Sequence, residues 1–331
     1  MKLWQKMLIA AVIATALIIS GTLVYTQFFS RRRLLVSTTT SLWESDLLKK
    51  VESVFEAKYP IDLQFIAAGS GVAIEQGRNG DVDCVLVHAP SMELTFLQQG
   101  FGTSRKIIAY NFFTIVGPSN DPALVNGQNV TEALKRITEY GRNQTGKVWV
   151  SRADSSGTHT KEQSLWKLAG FNYTLISAEQ WYANAPGGMR ETLLKAEQLS
   201  AYTLSDIGTY LKFHEKDERI TLDSFMAEKY ELLNVYSVMA VNRTRHKHVN
   251  FNDTVTFIKF LTSDEGQQLI EKFGEEDYGT SGRLFRAAVS YLTANSTEQI
   301  AQWIRKYAFL GDPPTECPPE YRDTECPELY T

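Results

Sequence analysis

The stretch LLVSTTTSLWESDLLKKVESVFEAK, residues 34–58, contains an apolar run followed by an amphipathic segment. Residues 34–37 are typical of a buried strand, and residues 41–58 predict a helix with apolar side chains on one face. Those side chains are Leu47, Leu48, Val51, Val54 and Phe55. Ser41 and Glu44 have the spacing of a capping box at the start of this helix. A strand followed directly by a helix is the repeating unit of an α/β fold.

The same strand–helix order recurs further along the chain. Residues 61–65 alternate apolar and polar side chains as a strand does, and AAGSG then leads into a short helix. Residues 82–88 (VDCVLVH) predict a third, buried strand, and residues 91–99 a helix that Gly100 ends. This repetition predicts a mainly parallel sheet with helices on both of its faces.

Two apolar runs predict crossings between two lobes. Residues 108–123 lead into a second α/β lobe, and residues 231–241 return to the first. Further strands are predicted at 147–151 and 201–204, and further helices at 129–140, 158–169, 189–199, 252–262, 264–273, 284–293 and 297–307. The predicted division is 34–115 for the first part of lobe 1, 116–225 for lobe 2, 226–310 for the return and the C-terminal helices, and 311–331 for a Pro/Cys-rich tail.

Residues 1–33 have the character of a membrane anchor or a signal. No charged residue occurs from Met7 to Ser30, and this length suits a membrane-spanning helix, which needs about 20 residues. A cleaved secretory signal is the alternative, although its apolar part is usually shorter, about 7–15 residues. Six N-x-S/T sequons favour export of the rest of the chain. They are Asn129, Asn143, Asn172, Asn242, Asn252 and Asn295.

Charge and cysteine content exclude some classes of partner. The net charge of −4 argues against nucleic acid, which requires a basic surface. Cys317 and Cys326 have the spacing of a short disulfide loop in an oxidising compartment, whereas Cys84 lies in an apolar run and predicts a buried thiol. No C-x-x-C motif occurs, so we expect no metal site.

Four stretches place hydroxyl or glycine residues between a strand and the next helix. They are VSTTTSLWES (36–45), FIAAGSGVAIE (65–75), VSRADSSGTHTKE (150–162) and NAPGGMRETL (184–193). In open α/β sheets ligands bind at the carboxyl ends of strands, and a helix N-terminus offers unpaired N–H donors to an anion. We call each of these strand–helix junctions a corner. Several corners that face one point would surround a dehydrated dianion with hydrogen-bond donors.

Each corner also has a purely structural interpretation. Ser41 alone would be only a helix cap, Ser70 only a turn residue, and Gly187 and Gly188 only a device for an unusual backbone conformation. The co-occurrence of four such corners favours the anion site.

Arg152 is the strongest candidate for an oxyanion contact, because a guanidinium can give two parallel hydrogen bonds to an oxyanion and stays charged when buried. Asp154 is expected to orient Arg152 or to cap the helix. A serine hydrolase is disfavoured, since Asp154, Ser156 and His159 are too close in sequence for a catalytic triad and no G-x-S-x-G motif occurs. We therefore expect no enzyme activity.

Five segments closely resemble the tungstate-binding proteins of ABC uptake systems. They are STTTSLWESDLL, AAGSGVAIEQGRNGDVDCVLVHAP, QGFGTSRKIIAYNFFTIVGPSNDPA, VSRADSSGTHTKEQSLWKLAG and SAYTLSDIGTYL, and the similarity covers about residues 34–280. The resemblance implies a two-lobe periplasmic-binding-protein (type II) fold with the ligand cleft between the lobes. It also implies a tungstate oxyanion as transported ligand, no cofactor, and an ABC permease and ATPase as partners.

The same resemblance implies a set of contacts to the oxyanion. They are Thr40, Ser41, Ser70, Arg152, Ser156, Gly157 and Thr158, with Thr39, Gly187 and Gly188 as weaker candidates. The chain departs from the family pattern in its apolar N-terminal run and in its C-terminal stretch from about residue 286. We expect an anchored protein on the extracytoplasmic face of the cell membrane. Molybdate, sulfate or phosphate as the ligand, and an anion-sensing ectodomain as the function, remain alternatives.

Overall fold

The computed structural model describes Trp4, Gln5, Ile13, Thr15 and residues 31–154, 156–216, 219–278, 283–292 and 296–330. Apart from Ile13 and Thr15, the predicted membrane segment, Met7 to Ser30, lies outside these residues, as does the sequon residue Asn295. Within the described part of the chain, no helix has the length and apolar character needed to cross a bilayer.

A twisted sheet forms the centre of the protein. Its strands are β1 (Arg32–Thr39), β2 (Ile61–Ala68), β3 (Cys84–Val87), β4 (Gly102–Gly117), β5 (Trp149–Ser151), β6 (Tyr182–Asn184), β7 (Tyr202–Asp206), β8 (Asp223–Ser224), β9 (Leu233–Val241) and β10 (Arg286–Ala287). The order is β2-β1-β3-β9-β4-β7-β5-β6, with β8 and β10 both paired to β4. Strand β1 runs parallel to β2 and β3, and β5 runs parallel to β6 and β7, as the strand–helix repeats predict.

Helices cover the two faces of this sheet. They are α1 (Thr40–Glu44), α2 (Leu47–Lys58), α3 (Ser70–Asn79), α4 (Pro90–Gln98), α5 (Val130–Arg142), α6 (Gly157–Leu168), α7 (Tyr173–Ile176), α8 (Met189–Leu199), α9 (Ile207–Lys216), α10 (Phe251–Thr262), α11 (Asp264–Lys272), α12 (Glu275–Tyr278) and α13 (Gln299–Ala308). Most of the predicted helices are therefore present within a few residues of their expected bounds.

Strand β4 joins two lobes because it pairs with a different partner along each half. Its first part, Gly102 to Phe112, runs antiparallel to β9, and its last part, Phe113 to Val116, runs antiparallel to β7. The first lobe contains β1, β2, β3 and β9, and the second contains β5, β6, β7 and β8. This arrangement confirms the predicted two-lobe α/β fold. The residue bounds of the lobes given above stay a prediction.

The helix predicted over residues 41–58 is wrong in its first part. It is broken into α1 and α2 at Asp46, whose φ of 68° lies in the left-handed region. Thr39 caps α1 by accepting a hydrogen bond from the Leu42 N–H at 3.3 Å, so the predicted capping box of Ser41 and Glu44 is not formed. The apolar face of α2 nevertheless packs into the first lobe as predicted, through Leu47, Leu48, Val51 and Phe55. Burying such side chains contributes about 1.5–3 kcal/mol each.

The predicted helix at 284–293 is also wrong. Its described residues form the two-residue strand β10 against β4 and then a single 3₁₀ turn, Val289–Tyr291. Helix α13 packs Ile304 and Ala308 into the core around β4 and β9. The C-terminal segment therefore adds both an edge strand and a covering helix to the two-lobe body.

The Pro/Cys-rich tail is docked along β4. The Glu316 carboxylate accepts hydrogen bonds from Lys106 Nζ at 2.7 Å and from the Ile107 N–H, and its carbonyl accepts one from Arg105 at 2.6 Å. The Arg105 and Glu93 side chains form a fully buried ion pair of 2.8 Å directly beneath. Strand β4 is irregular at this position, between Thr103 and Lys106. The tail thus supplies acceptors to backbone and side chains that the irregular ladder leaves free.

The predicted disulfide between Cys317 and Cys326 is not formed, and both residues are buried free thiols. The thiol of Cys317 faces the Pro318 carbonyl, whereas Cys326 packs with Leu329 against the core of the first lobe. Cys84 is fully buried in β3, as predicted.

Candidate oxyanion site

The first corner of the site lies where β1 ends and α1 begins. Thr39 and Ser41 are buried and Thr40 is partly buried, so all three predicted contacts lie at the inner end of the strand. Ser41 is not the cap of α1, and its hydroxyl lies 3.5 Å from Thr39 Oγ1. Thr38, which the sequence did not single out, is fully buried here, and its Oγ1 has no hydrogen-bond partner among the described residues.

Ser70 forms the second corner, beside the first. The pairing of Thr39 with Ala68 across β1 and β2 brings the first turn of α3 next to the first turn of α1. Ser70 is fully buried, and its Oγ also has no hydrogen-bond partner within the described part of the chain. A turn residue would have used or exposed this hydroxyl. An unpaired buried donor costs about 1–3 kcal/mol, which favours a ligand acceptor at this position.

The third corner comes from the second lobe, between β5 and α6. Arg152 is only 3% exposed, and its guanidinium is held by Asp154 through Nε at 3.1 Å and Nη2 at 2.7 Å. The other oxygen of Asp154 accepts the Ser156 N–H at 3.1 Å. Asp154 therefore orients Arg152 and shapes the loop, as expected.

The start of α6 presents donors to the first lobe. Ser156 caps the helix by accepting the His159 N–H at 3.1 Å, and Thr158 is buried with an Oγ1 that has no hydrogen-bond partner among the described residues. A Cβ placed on Gly157 would lie 2.5 Å from the His88 ring, so only glycine permits this close approach. His88 follows β3, next to the end of β1. The first turn of α6 therefore faces the strand ends of the first lobe.

A direct bond joins the two lobes across the cleft. Arg152 Nη2 donates to Thr40 Oγ1 at 3.3 Å, between residues that are 112 positions apart in sequence. This contact brings two predicted ligand residues together. It joins the corners of β1–α1 and β5–α6, and the corner of β2–α3 lies beside the first. These three adjacent corners supply Arg152 and three buried hydroxyls that are unpaired among the described residues.

The fourth corner, at the start of α8, lies at the margin of this region. Gly188 has a φ of 105°, which favours glycine on backbone grounds alone. A Cβ on Gly188 would lie 3.6 Å from Glu44 Oε1, so α8 approaches α1 across the cleft. The structural interpretation of Gly188 is thus sufficient, and nothing places Gly187 or Gly188 among the donors.

A buried polar network under the site was missed by sequence reasoning. His88 Nδ1 pairs with Asn234 Oδ1 at 2.7 Å, Asn234 Nδ2 donates to Asn111 Oδ1 at 2.8 Å, and Asn111 Nδ2 donates to Asp206 Oδ1 at 3.3 Å. Burial lowers the pKa of His88 to about 4, so its ring is neutral at physiological pH. Burial also raises the pKa of Asp206. The sequence did contain a signal for this network, because Asn111 and Asn234 are isolated polar residues inside the apolar runs of β4 and β9.

The arrangement can bind an anion, and its described residues show no catalytic constellation. The Ser156 hydroxyl accepts from the backbone of His159, whereas the His159 ring faces Ser151 at 3.3 Å, so no base activates Ser156. Within the described residues, no three His, Cys, Asp or Glu side chains converge as a metal site. The remaining chemistry is donation of hydrogen bonds by hydroxyls, helix N-termini and one guanidinium.

Comparison with known proteins shows the family to which the chain belongs. A family model described as a PBP superfamily domain matches residues 21–265. The tungstate-binding protein TupA of Peptoclostridium acidaminophilum is 34% identical over 249 residues, which are 74% of this chain and 83% of that protein. The chain belongs to the PBP superfamily and, within it, to the family of tungstate-binding proteins.

Two further proteins are similar over about three quarters of the chain. A putative ABC transporter anion-binding protein of Haloferax volcanii is 37% identical over 247 residues, covering 74% of this chain and 70% of that protein. The solved structure of a tungstate ABC transporter protein from Geobacter sulfurreducens is 40% identical, with a TM-score of 0.65, covering 73% of this chain and 98% of that chain. These matches confirm the resemblance and the fold class predicted from the sequence.

Proposed function

We propose that the protein captures tungstate outside the cytoplasm and delivers it to an ABC permease with its ATPase. The observation that carries this proposal is a set of three buried hydroxyls, Thr38, Ser70 and Thr158, that have no partner among the described residues. They lie at the same strand–helix corners as a buried arginine that bridges the two lobes. A relative that is 34% identical is named a tungstate-binding protein, which supports tungstate as the oxyanion.

Binding would replace the hydration shell of the dianion with fixed donors. Arg152 supplies the positive charge, and the first turns of α1, α3 and α6 supply backbone N–H groups together with the hydroxyls. Because the donors come from both lobes, an anion between them stabilises the closed state. Closure excludes water, and each hydrogen bond then acts in a medium of lower dielectric constant.

Asp154 does not distinguish a protonated oxyanion from an unprotonated one. A bound hydrogen phosphate needs an acceptor for its proton. Asp154 Oδ2 accepts from Arg152 and Oδ1 accepts the Ser156 N–H, but a carboxylate oxygen can accept more than one hydrogen bond. The preference for tungstate over phosphate therefore rests on the similarity to a tungstate-binding protein and is tested by the titrations below.

We further propose that the N-terminal apolar run tethers the protein to the cell membrane. Its support is the sequence from Met7 to Ser30, which has no charged residue. An exported location agrees with the names of the relatives, which assign them to ABC transport.

Calorimetric titration of the full-length chain with tungstate, molybdate, sulfate and phosphate tests the ligand assignment. We expect tungstate to bind tightly and neither sulfate nor phosphate to compete with it. Tighter binding of phosphate than of tungstate would contradict the assignment, and no binding of any oxyanion would contradict the function.

Thr158→Val tests whether an unpaired hydroxyl contacts the anion. The expected loss is about tenfold or more in affinity, since a hydrogen bond to a charged group contributes about 1.5–3 kcal/mol. Thr160→Val is the matched control on the same helix, because the Thr160 hydroxyl already donates to the Ser156 carbonyl at 3.1 Å. Equal affinities of the two variants would remove Thr158 from the site.

A further inference from the structure

Glu44 is the last residue of α1, one turn beyond the proposed anion contacts. Its predicted capping role is absent, because Thr39 caps the helix. Its Oε1 lies 3.6 Å from the position that a Cβ on Gly188 would take, so the side chain lies between the two lobes. Its Oε2 is buried and has no hydrogen-bond partner in the described part of the chain. A carboxylate with a dry, unpaired oxygen therefore borders a site that is built for an anion.

The charges around Glu44 do not neutralise it. Arg152 approaches from the loop before α6, but its Nε and Nη2 atoms are engaged by Asp154. Lys212 approaches from α9, where its Nζ donates to the Glu44 carbonyl and to the Asp46 carboxylate. Neither cation forms an ion pair with the Glu44 carboxylate among the described residues.

Two further carboxylates face Glu44 and add to its negative surroundings. Glu191 comes from α8 and Asp206 from the end of β7. Burial raises the pKa of Glu44 to about 7, and the charges of Glu191 and Asp206 add to this effect while Arg152 and Lys212 oppose it. The carboxyl of Glu44 is therefore balanced between its two protonation states near neutral pH.

We propose that Glu44 takes up a proton when the oxyanion is captured, so that anion binding and protonation of this carboxyl are linked. This inference rests on the proposed function. The entering dianion brings two negative charges to the first turn of α1, and one helical turn is only about 5.4 Å long. It also engages Arg152, the main cation that favours ionised Glu44. Both changes favour the neutral carboxylic acid.

The direction of the pH effect follows from this linkage. In the free protein Glu44 is mostly protonated below its pKa of about 7 and mostly ionised above it. Below that pH no proton has to be taken up, so affinity is constant. Above it, binding requires a proton, and affinity falls by up to about tenfold per pH unit until the pKa of the bound state is reached. The protein thus holds its anion more tightly at the acidic end of this range.

Calorimetry of the full-length chain with sodium tungstate measures the proton directly. Titrations at about pH 8 in buffers of different ionisation enthalpy give the number of protons bound per anion, which we expect to be at least about one half. Glu44→Gln, which imitates the neutral acid, should reduce this number to near zero and remove the fall in affinity between about pH 7 and pH 9. Glu44→Asp, which keeps a carboxyl, should retain proton uptake, and circular dichroism melts verify that each variant is folded.

Glu191→Gln is the matched control. Glu191 is an exposed carboxylate that, like Glu44, lies close to Gly188 at the start of α8. It should leave proton uptake in place. Lys161, whose pKa burial lowers to about 7, and Asp206 are the other groups that would take up a proton. If Glu44→Gln took up as many protons as the native protein, the proton would bind Lys161 or Asp206, and the inference would be overturned. Tungstate binding with no proton uptake would also overturn it, whereas absence of tungstate binding at any pH would overturn the proposed function instead.

Discussion

Replacing Arg152 with glutamine should nearly abolish anion binding while the lobes remain folded. Arg152 is 3% exposed, so its charge acts with little screening by solvent. Nε and Nη2 of Arg152 already donate to Asp154 and Thr40, so the two N–H groups of Nη1 are the donors for the oxyanion. Each charge-assisted hydrogen bond of this kind contributes about 1.5–3 kcal/mol. Losing both costs about 3–6 kcal/mol, which corresponds to about 10²–10⁴-fold in Kd.

The assay is calorimetric titration of Arg152→Gln with tungstate, combined with thermal unfolding followed by circular dichroism. Removal of the Arg152 charge leaves Asp154 with the Ser156 N–H, so unfolding should become easier by only about 1–3 kcal/mol. Arg142→Gln is the matched control, since Arg142 makes the same kind of double contact, with Glu179, far along the second lobe. A folded Arg152→Gln protein with an affinity within about threefold of the native value would refute the role of this residue.

Two further substitutions test separate parts of the structure. Ser70→Ala removes a buried hydroxyl that has no partner among the described residues, so tungstate affinity should fall about tenfold or more while the Tm of the free protein stays constant or rises. The control Ser45→Ala should lower the Tm and leave tungstate affinity unchanged, because the Ser45 hydroxyl donates to the Leu42 carbonyl at 2.7 Å. A loss of Tm in the Ser70→Ala variant would contradict the assignment of Ser70 to the anion site. Glu316→Gln weakens the contacts of the tail to Lys106 and Ile107 and should lower the free energy of unfolding in urea by about 1–3 kcal/mol. An unchanged urea midpoint, equal to that of the exposed Glu320→Gln control, would show that the tail does not stabilise β4.

The sequence predicts well those features that depend on local periodicity. Residues 34–37 and 82–88 contain strands that are buried, and Leu48, Val51 and Phe55 pack into the core as the helical spacing predicts. The strand–helix repeats then predict a parallel sheet, because such crossovers place consecutive strands side by side. The placement of hydroxyls after β1, β2 and β5 follows from the same order.

Contacts between distant segments could not be predicted in this way. Asn111 and Asn234 are bonded across 123 positions, and neither residue has a local signal that names its partner. The break at Asp46 was missed because the apolar spacing continues across it, while the left-handed backbone of one residue decides where the helix divides. Residues 284–293 have helical spacing, but pairing of Arg286 and Ala287 with β4 overrides that local preference.

The candidate site residues also fall into two groups, those with a local sequence signal and those recognised only from the tertiary structure. Arg152 and Thr158 were singled out because strand ends and helix starts are recognisable in sequence. Thr38 was not singled out because its neighbours in the same threonine run have the same local character, and only the tertiary structure shows that its hydroxyl is buried without a partner among the described residues. Glu44 was assigned to a cap because the spacing alone fits one, whereas the capping hydroxyl is that of Thr39.

The position of the bound anion tests the central claim most directly. Crystals of the full-length protein grown with sodium tungstate would show tungsten by its anomalous scattering. We predict one peak between the lobes, with anion oxygens about 2.7–3.2 Å from the Arg152 guanidinium and from the hydroxyls of Thr38, Ser70 and Thr158. A peak elsewhere on the protein, or a closed cleft without tungsten at saturating tungstate, would contradict it.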